Sequence, residues 1–399
     1  MARDNTARTR LVVAVSHPIQ HFVSFYRALA ADASIDLHVI FSAPIGVTPY
    51  YDEEMRSEIA WNMDMLAGYS HEFLDSREGR QVSFWSMNSP RVAERLAAAR
   101  PDAIIIYGYA QMNPLRALFW ARRHRVPVMM ISDSEQLQHR AWWKRVAKSV
   151  LVRRVYGACT AFLSVGDRNE DHYRDYGARD EAIFRSPFTI DEASFRAAAH
   201  DRARHRAAVR AELGIPDDCK VLLFVGKLSA RKRPDDLIAA LKVLQDRNRT
   251  GYRALFLGNG ELTNTLSATA KAESLPAIFA GFVNVDRLPP LYAASDILVH
   301  PSQHDPHPLI CSEAACVGLP MILSDRVGAM GATDVARPGE NALSFPCGNI
   351  ERLVDIVLEI GEDPARLAAM GVRSRRIFDE LSIARSVAGV KEALRYAGA

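Results

Sequence analysis

Cysteine is scarce in this sequence: five residues among 399, at Cys159, Cys219, Cys311, Cys316 and Cys347, with no CxxC pair. An odd, scattered set argues against a disulfide framework and a structural zinc site, and for a reducing compartment. Cys311 and Cys316 fall in an apolar helical pattern and read as small core residues. Long hydrophobic runs are missing too. No stretch of about 18 uncharged apolar residues occurs, so no membrane-spanning helix is expected. The polar opening Met-Ala-Arg-Asp-Asn-Thr lacks the apolar core of a signal peptide, and the expected address is the cytoplasm. Neither sign of charge dominates: 50 Lys and Arg against 47 Asp and Glu leave +3, too little for wholesale nucleic-acid binding. There is no P-loop, no clean Gly-x-Gly-x-x-Gly after the first strand of either half, and no solenoid repeat or low-complexity tract. Hydride transfer and P-loop chemistry are set aside on that ground.

What is present is an ordinary globular balance, 48% hydrophobic and 24% charged, over a length suited to two domains. Short apolar β-rich runs alternate with helical patterns. Strands are expected at 11–15, 37–41, 103–107, 128–131 and 161–165, with amphipathic helices between them, such as 22–31 and 91–99. The pattern breaks near 192–219, in an Ala/Arg/His-rich run followed by a Gly-Ile-Pro-Asp-Asp turn. A second series then begins, with strands expected at 221–225, 254–257, 278–282, 297–300, 321–324 and 342–345. Two βα series predict α/β architecture: two Rossmann-like domains facing across a cleft, 1–195 and 220–380. Residues 196–219 would be the linker, and a final helix, 381–399, is expected to pack back on the first domain. The longest irregular stretch, 43–68, carries Tyr50, Tyr51 and Trp61, and reads equally as a substrate-facing loop or a packed surface excursion.

Two places concentrate chemistry. At the end of the second series' first strand stands Gly226-Lys227-Leu228-Ser229-Ala230-Arg231-Lys232-Arg233-Pro234. A strand-end glycine, four cations and a helix opening near Pro234 suit an anion, and a departing diphosphate needs such fixed positive charge. A solvated basic turn is the alternative. Further on, Asp305 and Glu313 stand eight residues apart in His304-Asp305-Pro306-His307-Pro308-Leu309-Ile310-Cys311-Ser312-Glu313. Carboxylates accept from vicinal hydroxyls, so the pair suits a sugar and a ribose, with a helix N-terminus between them for a phosphate. The alternative has Asp305 capping that helix and Glu313 solvated on it.

The order of these motifs resembles the donor-binding half of the large retaining GT-B family called glycosyltransferase family 4. Gly226-Lys227-Leu228, Lys232, Gly258-Asn259-Gly260, Gly281-Phe282-Val283, Asp296, Pro301-Ser302, Asp305-x7-Glu313-Ala314 and Gly318-Leu319-Pro320 follow the family's sequence of motifs. Ser324-Asp325 and Pro338-Gly339-Glu340-Asn341 continue it. The resemblance implies a retaining glycosyltransferase that uses a nucleotide-sugar, a UDP-sugar favoured, as co-substrate, with no cofactor and no metal. It implies that Gly226, Lys227 and Lys232 meet the diphosphate, Glu313 the ribose and Asp305 the transferred sugar. The backbone of Leu309 and Ile310 would touch phosphate or ribose, and Gly258 and Phe282 would line the base pocket. Three departures stand out: Lys227 for the family's Arg, Asp305 for Glu, and Pro308 for Gly, which removes a backbone donor.

The first half resembles the family loosely. Ser16-His17-Pro18-Ile19-Gln20-His21 occupies its first strand-end turn, and His17 or His21 is read toward acceptor or leaving phosphate. Where many relatives place a catalytic His this chain reads Ser132-Asp133-Ser134-Glu135, so Asp133 or Glu135 is the candidate facing the reacting carbon. The basic, Trp-paired stretch 140–154 leaves peripheral contact with an anionic membrane and a lipid-linked acceptor open. The alternative is a core stripe of Trp142, Val146 and Val150. Glycan, lipid-linked and small-molecule acceptors all fit. The competing functions are an inverting transferase, a nucleotide-sugar epimerase, and a catalytically silent nucleotide-sugar-binding partner.

Overall fold

Strands made of consecutive Leu, Ile, Val and Phe need cover on both faces, and parallel sheets between helices supply it. The computed structural model describes residues 8–75, 82–135 and 142–399, with side chains from 149 onward in the last span. It has two such sheets. The first contains β1 (Thr9–Val15), β2 (Ile35–Phe41), β3 (Ser70–Phe73), β4 (Ala103–Tyr107), β5 (Val128–Ser132), β6 (Ala161–Ser164) and β7 (Ile183–Arg185). Their spatial order is β3-β2-β1-β4-β5-β6-β7, all parallel. The second contains β8 (Lys220–Val225), β9 (Tyr252–Leu257), β10 (Ala277–Phe279), β11 (Ile297–His300), β12 (Met321–Ser324) and β13 (Ala342–Phe345). Its order is β10-β9-β8-β11-β12-β13, again parallel, with Leu222 facing Ala254 on one side and Ile297 on the other. The order of each sheet reverses beside its first strand. In the second sheet that switch point lies between β8 and β11, where ligands of such sheets bind, at the carboxyl ends of the strands.

The chain forms two compact units. One takes Met1–Tyr50, Met63–Ile190 and Ser382–Ala399, the other Tyr51–Asn62 and Asp191–Leu381. In the first, the helix Ile383–Ala397 is pinned to the end of β7. Ser186 Oγ donates to the Ser386 carbonyl (3.1 Å) and Ser386 Oγ to the Pro187 carbonyl (2.7 Å). Gly389 is required there, because a Cβ would come within 2.1 Å of the Arg185 carbonyl oxygen.

Three expectations need correction. Residues 196–219 are no free linker, since the helices Glu192–His200 and Arg202–Leu213 belong to the second unit. Arg210, 1% exposed, donates there to the carbonyls of Pro216, Asp217 and Cys219 and to Asp296, which also accepts from the Val221 N–H at the start of β8. Its Nε also donates to the Ala294 carbonyl, so the buried cation survives because each of its three nitrogens has a partner. Strand 278–282 is cut short: β10 ends at Phe279, and Gly281 takes φ +70, so Phe282 sits in a loop. The stretch 43–68 is not wholly irregular. Tyr50–Asp52 and Ser57–Ile59 pair as a short hairpin, and 51–62 count with the second unit.

Of the basic helix Trp142–Tyr156, the side chains of Trp142 and Val146 lie outside the described residues. Val150 is 49% exposed, so it is no core residue; the buried face runs through Val152, Val155 and Tyr156. Among the described residues no helix is long and apolar enough to cross a membrane.

Candidate functional site

The turn after β8 is knitted to two neighbouring strand ends. Gly226 accepts strain no other residue tolerates well, with φ +138, and its N–H donates to the Leu257 carbonyl. Gly258 follows β9 with φ +139, and a Cβ on it would lie 2.1 Å from the Gly226 oxygen; at Gly260 the distance to the Leu228 oxygen would be 2.4 Å. Gly258 N–H in turn donates to the Gly281 carbonyl, beside Phe282. The glycines thus let three strand-end loops stack backbone on backbone, which joins the basic turn to the segment carrying Phe282. On the other side Gln303 N–H and Ser302 Oγ donate to the Arg231 carbonyl, and Arg231 donates to the His304 carbonyl. The β8 and β11 ends therefore meet at the switch point.

Lys232 and Asp305 are in direct contact there. Lys232 Nζ donates to Asp305 Oδ2, which also accepts from His300 Nε2 at 2.8 Å. Burial by itself would raise Asp305, but the His300 hydrogen bond and the Lys232 charge outweigh it and hold the carboxyl well below the usual carboxylate range. His300 is fully buried, burial lowers its pKa, and its Nε2 faces the Asp305 carboxylate. Asp305 does not cap the following helix. Leu309–Val317 begins at Pro308, whose side chain offers no cap to the first-turn N–H groups, those of Leu309 and Ile310 among them. The helix N-terminus is thereby suited to an anion.

Glu313 is no solvated helix residue either. It is partly buried one turn further along and accepts a hydrogen bond from Tyr292 Oη of the helix Leu288–Ala294, itself fully buried. Burial pushes the Glu313 carboxyl up to about 7 despite that bond. Lys227, half-buried, holds two carboxylates: Nζ lies 3.1 and 3.0 Å from the two Asp52 oxygens and 2.6 Å from Glu54 Oε2. Burial would lower its pKa, but those two partners raise it, so it stays an ammonium. Arg233 is spent on Asp236 (2.6 and 2.8 Å) and is not a site cation.

In the first unit His17 and His21 stand after β1. Burial pulls both imidazoles down to about 4, and the neighbouring His17 adds to the effect on His21. Ser16 Oγ and His17 Nδ1 are 2.9 Å apart, while His21 packs on Phe22 and Phe188. Asp133 lies at the end of β5, close enough to Tyr107 that its charge, after burial, raises that phenol. Next to it the Ser134 carbonyl accepts from Asn169. Sequence reasoning missed His300, Tyr292, Asp52 and Glu54. A His closing the otherwise apolar strand Ile-Leu-Val-His was a readable signal for the first. Nothing local marked the others.

Residues 205–377 match the family model described as glycosyl transferases group 1. This segment is similar to the group 1 family over less than half of the chain. The matched segment holds Lys227, Lys232, His300, Asp305 and Glu313. Over 209 residues the chain is 30% identical to the D-inositol 3-phosphate glycosyltransferase of Rhodococcus jostii, covering 49% of this chain and 44% of the relative. Over 123 residues it is 32% identical to an uncharacterized glycosyltransferase of Methanocaldococcus jannaschii, covering 30% and 31%. The chain spans less than half the length of these curated relatives. Anabaena HepE, solved in complex with UDP and glucose, superposes with a TM-score of 0.71 at 16% identity over 97% of this chain and all of that one. Sucrose-phosphate synthase from Thermosynechococcus elongatus gives 0.68 at 17%, over 98% and 100%. The fold is GT-B.

Proposed function

We propose that the protein is a glycosyltransferase that moves a sugar from a nucleotide-sugar, UDP-sugar in preference, to an acceptor hydroxyl with retention of anomeric configuration. The observation that carries this reading is the Lys232–Asp305–His300 contact at the sheet's switch point, beside a helix N-terminus whose N-cap, Pro308, offers no side-chain cap. The bond from the sugar C1 to the diphosphate breaks, and a bond from C1 to the acceptor oxygen forms. The acceptor proton passes to the departing phosphate on the same face. Lys227, Lys232 and the N–H groups of Leu309 and Ile310 receive the charge that develops, so the scheme requires no metal. Asp305 Oδ2 is taken by Lys232 and His300, which leaves Oδ1 to accept from the sugar. Glu313 accepts from the ribose, and the loops of Gly258 and Phe282 border the base. His17, Asp133 and Glu135 are assigned to the acceptor side. The UDP preference draws on the UDP and UDP-glucose complexes of Anabaena HepE. Glycan or glycoconjugate assembly in the cytoplasm, at the inner face of a membrane for a lipid-linked acceptor, is the setting that fits.

A thermal-shift screen of UDP-, GDP-, ADP- and dTDP-sugars tests the donor site. A donor at a hundred times its Kd stabilises by about 2.7 kcal/mol. Lys232→Ala or Glu313→Ala should abolish the shift in a protein that still folds, and an unchanged shift in both refutes the assignment. Proton NMR of the product then reads the anomeric configuration, where inversion excludes the retaining scheme.

A further inference from the structure

Lys227, the cation expected at the diphosphate, is already occupied. Asp52 and Glu54 surround its ammonium with three oxygens at hydrogen-bonding distance. Both come from 51–62, and they stand 175 and 173 residues before Lys227 in a segment that is nonetheless part of the same compact unit. The segment is fixed at its other end too. Trp61 packs edge-on against Phe282 with ring centroids 5.8 Å apart, Asn284 Nδ2 donates to the Ala60 carbonyl (2.6 Å), and the Asn62 N–H donates to Asn284 Oδ1 (3.3 Å). Its two anchors are therefore the phosphate-side lysine and the loop of the base-side phenylalanine. This reading rests on the donor site proposed above.

We propose that 51–62 is an autoinhibitory strap, in which Asp52 and Glu54 stand in for the donor's diphosphate on Lys227 and must leave when a nucleoside diphosphate binds. Two carboxylates on one ammonium leave a net charge of −1. A diphosphate brought to the same ammonium places further negative charge within a few ångströms of them, and like charges at that distance repel. The two acids differ in how they can leave. Glu54 is 56% exposed at its side chain and swings out by rotation. Asp52 is 17% exposed, and its Oδ1 also accepts from the Met55 N–H, so it is part of the hairpin turn and moves only with it. Donor binding is thus coupled to release of the hairpin, and the apparent affinity is reduced by the fraction of molecules in which the strap is shut.

The test uses the full chain and UDP. Isothermal titration of Asp52→Asn/Glu54→Gln should show UDP binding at least tenfold tighter than the wild type. Glu54→Gln, which leaves the turn untouched, should show a smaller gain of about threefold. Hydrogen exchange at the amides of 53–62 should speed up in wild type when UDP is added. UDP affinity that is unchanged or weaker in both variants, with wild type binding normally, overturns the strap alone. So does slower exchange of 53–62 on adding UDP. If UDP, GDP, ADP and dTDP bind to no form of the protein, the donor-site reading falls and the strap falls with it.

Discussion

Replacing Glu313 by Gln changes one atom of a side chain whose ionisation the fold resists. Burial pushes the carboxyl up to about 7 from an ordinary value of 4.5. Between those two pH values the folded chain keeps a proton that the unfolded chain has lost, so stability falls as pH rises across the window and the deficit is constant above it. A pKa unit corresponds to about 1.4 kcal/mol, so the raised pKa costs the fold about 3 kcal/mol at pH 8, where the carboxylate is ionised, but only about 1 kcal/mol at pH 5, where the folded chain still holds the proton. The Gln amide is neutral throughout, and its oxygen still accepts from Tyr292 Oη. Urea denaturation of wild type and Glu313→Gln at pH 5, 6, 7 and 8, with amide exchange in β8 and β11 reporting the second unit, should show the variant gaining on wild type by about 2 kcal/mol between the extremes. Two stability curves offset by a constant would refute the buried-acid account. Nucleotide affinity should move the other way, rising through pH 7 in wild type as the carboxylate forms to accept from ribose, and staying flat in the variant.

Gly258→Ala places a methyl 2.1 Å from the Gly226 carbonyl oxygen at φ +139, so loss of more than about 2 kcal/mol in urea unfolding is expected, together with loss of nucleotide binding. A variant within about 1 kcal/mol of wild type would show that the two loops can part. His17 and His21 are pulled down to about 4 by burial, so the stability they support is present above about pH 6.5 and is lost as pH falls toward 4. His21→Phe, which keeps the packing on Phe188, should remove about half of that acid loss and leave the His17 share, and an unaltered acid profile would count against burial as the cause.

The group 1 resemblance was legible because its motifs serve local needs. A strand that ends at Gly226, a glycine at 258 that lets another backbone approach, and a helix closing at Gly318 are written in single residue types. The first-unit strands were legible for the same reason: a run such as Ala-Ile-Ile-Ile-Tyr at 103–107 has no polar side to expose. The short strands Ser70–Phe73 and Ile183–Arg185 at the sheet edges were not, since half-exposed edges carry mixed side chains and no clear period. The run 196–219 read as a linker because Arg and His are ordinarily solvated. Only the fold supplied the carbonyls and the carboxylate that allow Arg210 to be buried.

The sequence by itself determined the strand periodicity, the alternation with helices, and the order of glycines, cations and carboxylates that resembles a donor domain, because each is a property of neighbours along the chain. Tertiary structure alone decided what every charged group faces. Lys232 meets Asp305 across 73 positions, Lys227 meets Asp52 across 175, and Glu313 finds Tyr292 on another helix. Ion pairing and desolvation act through space over a few ångströms, so no spacing along the chain could announce these partners.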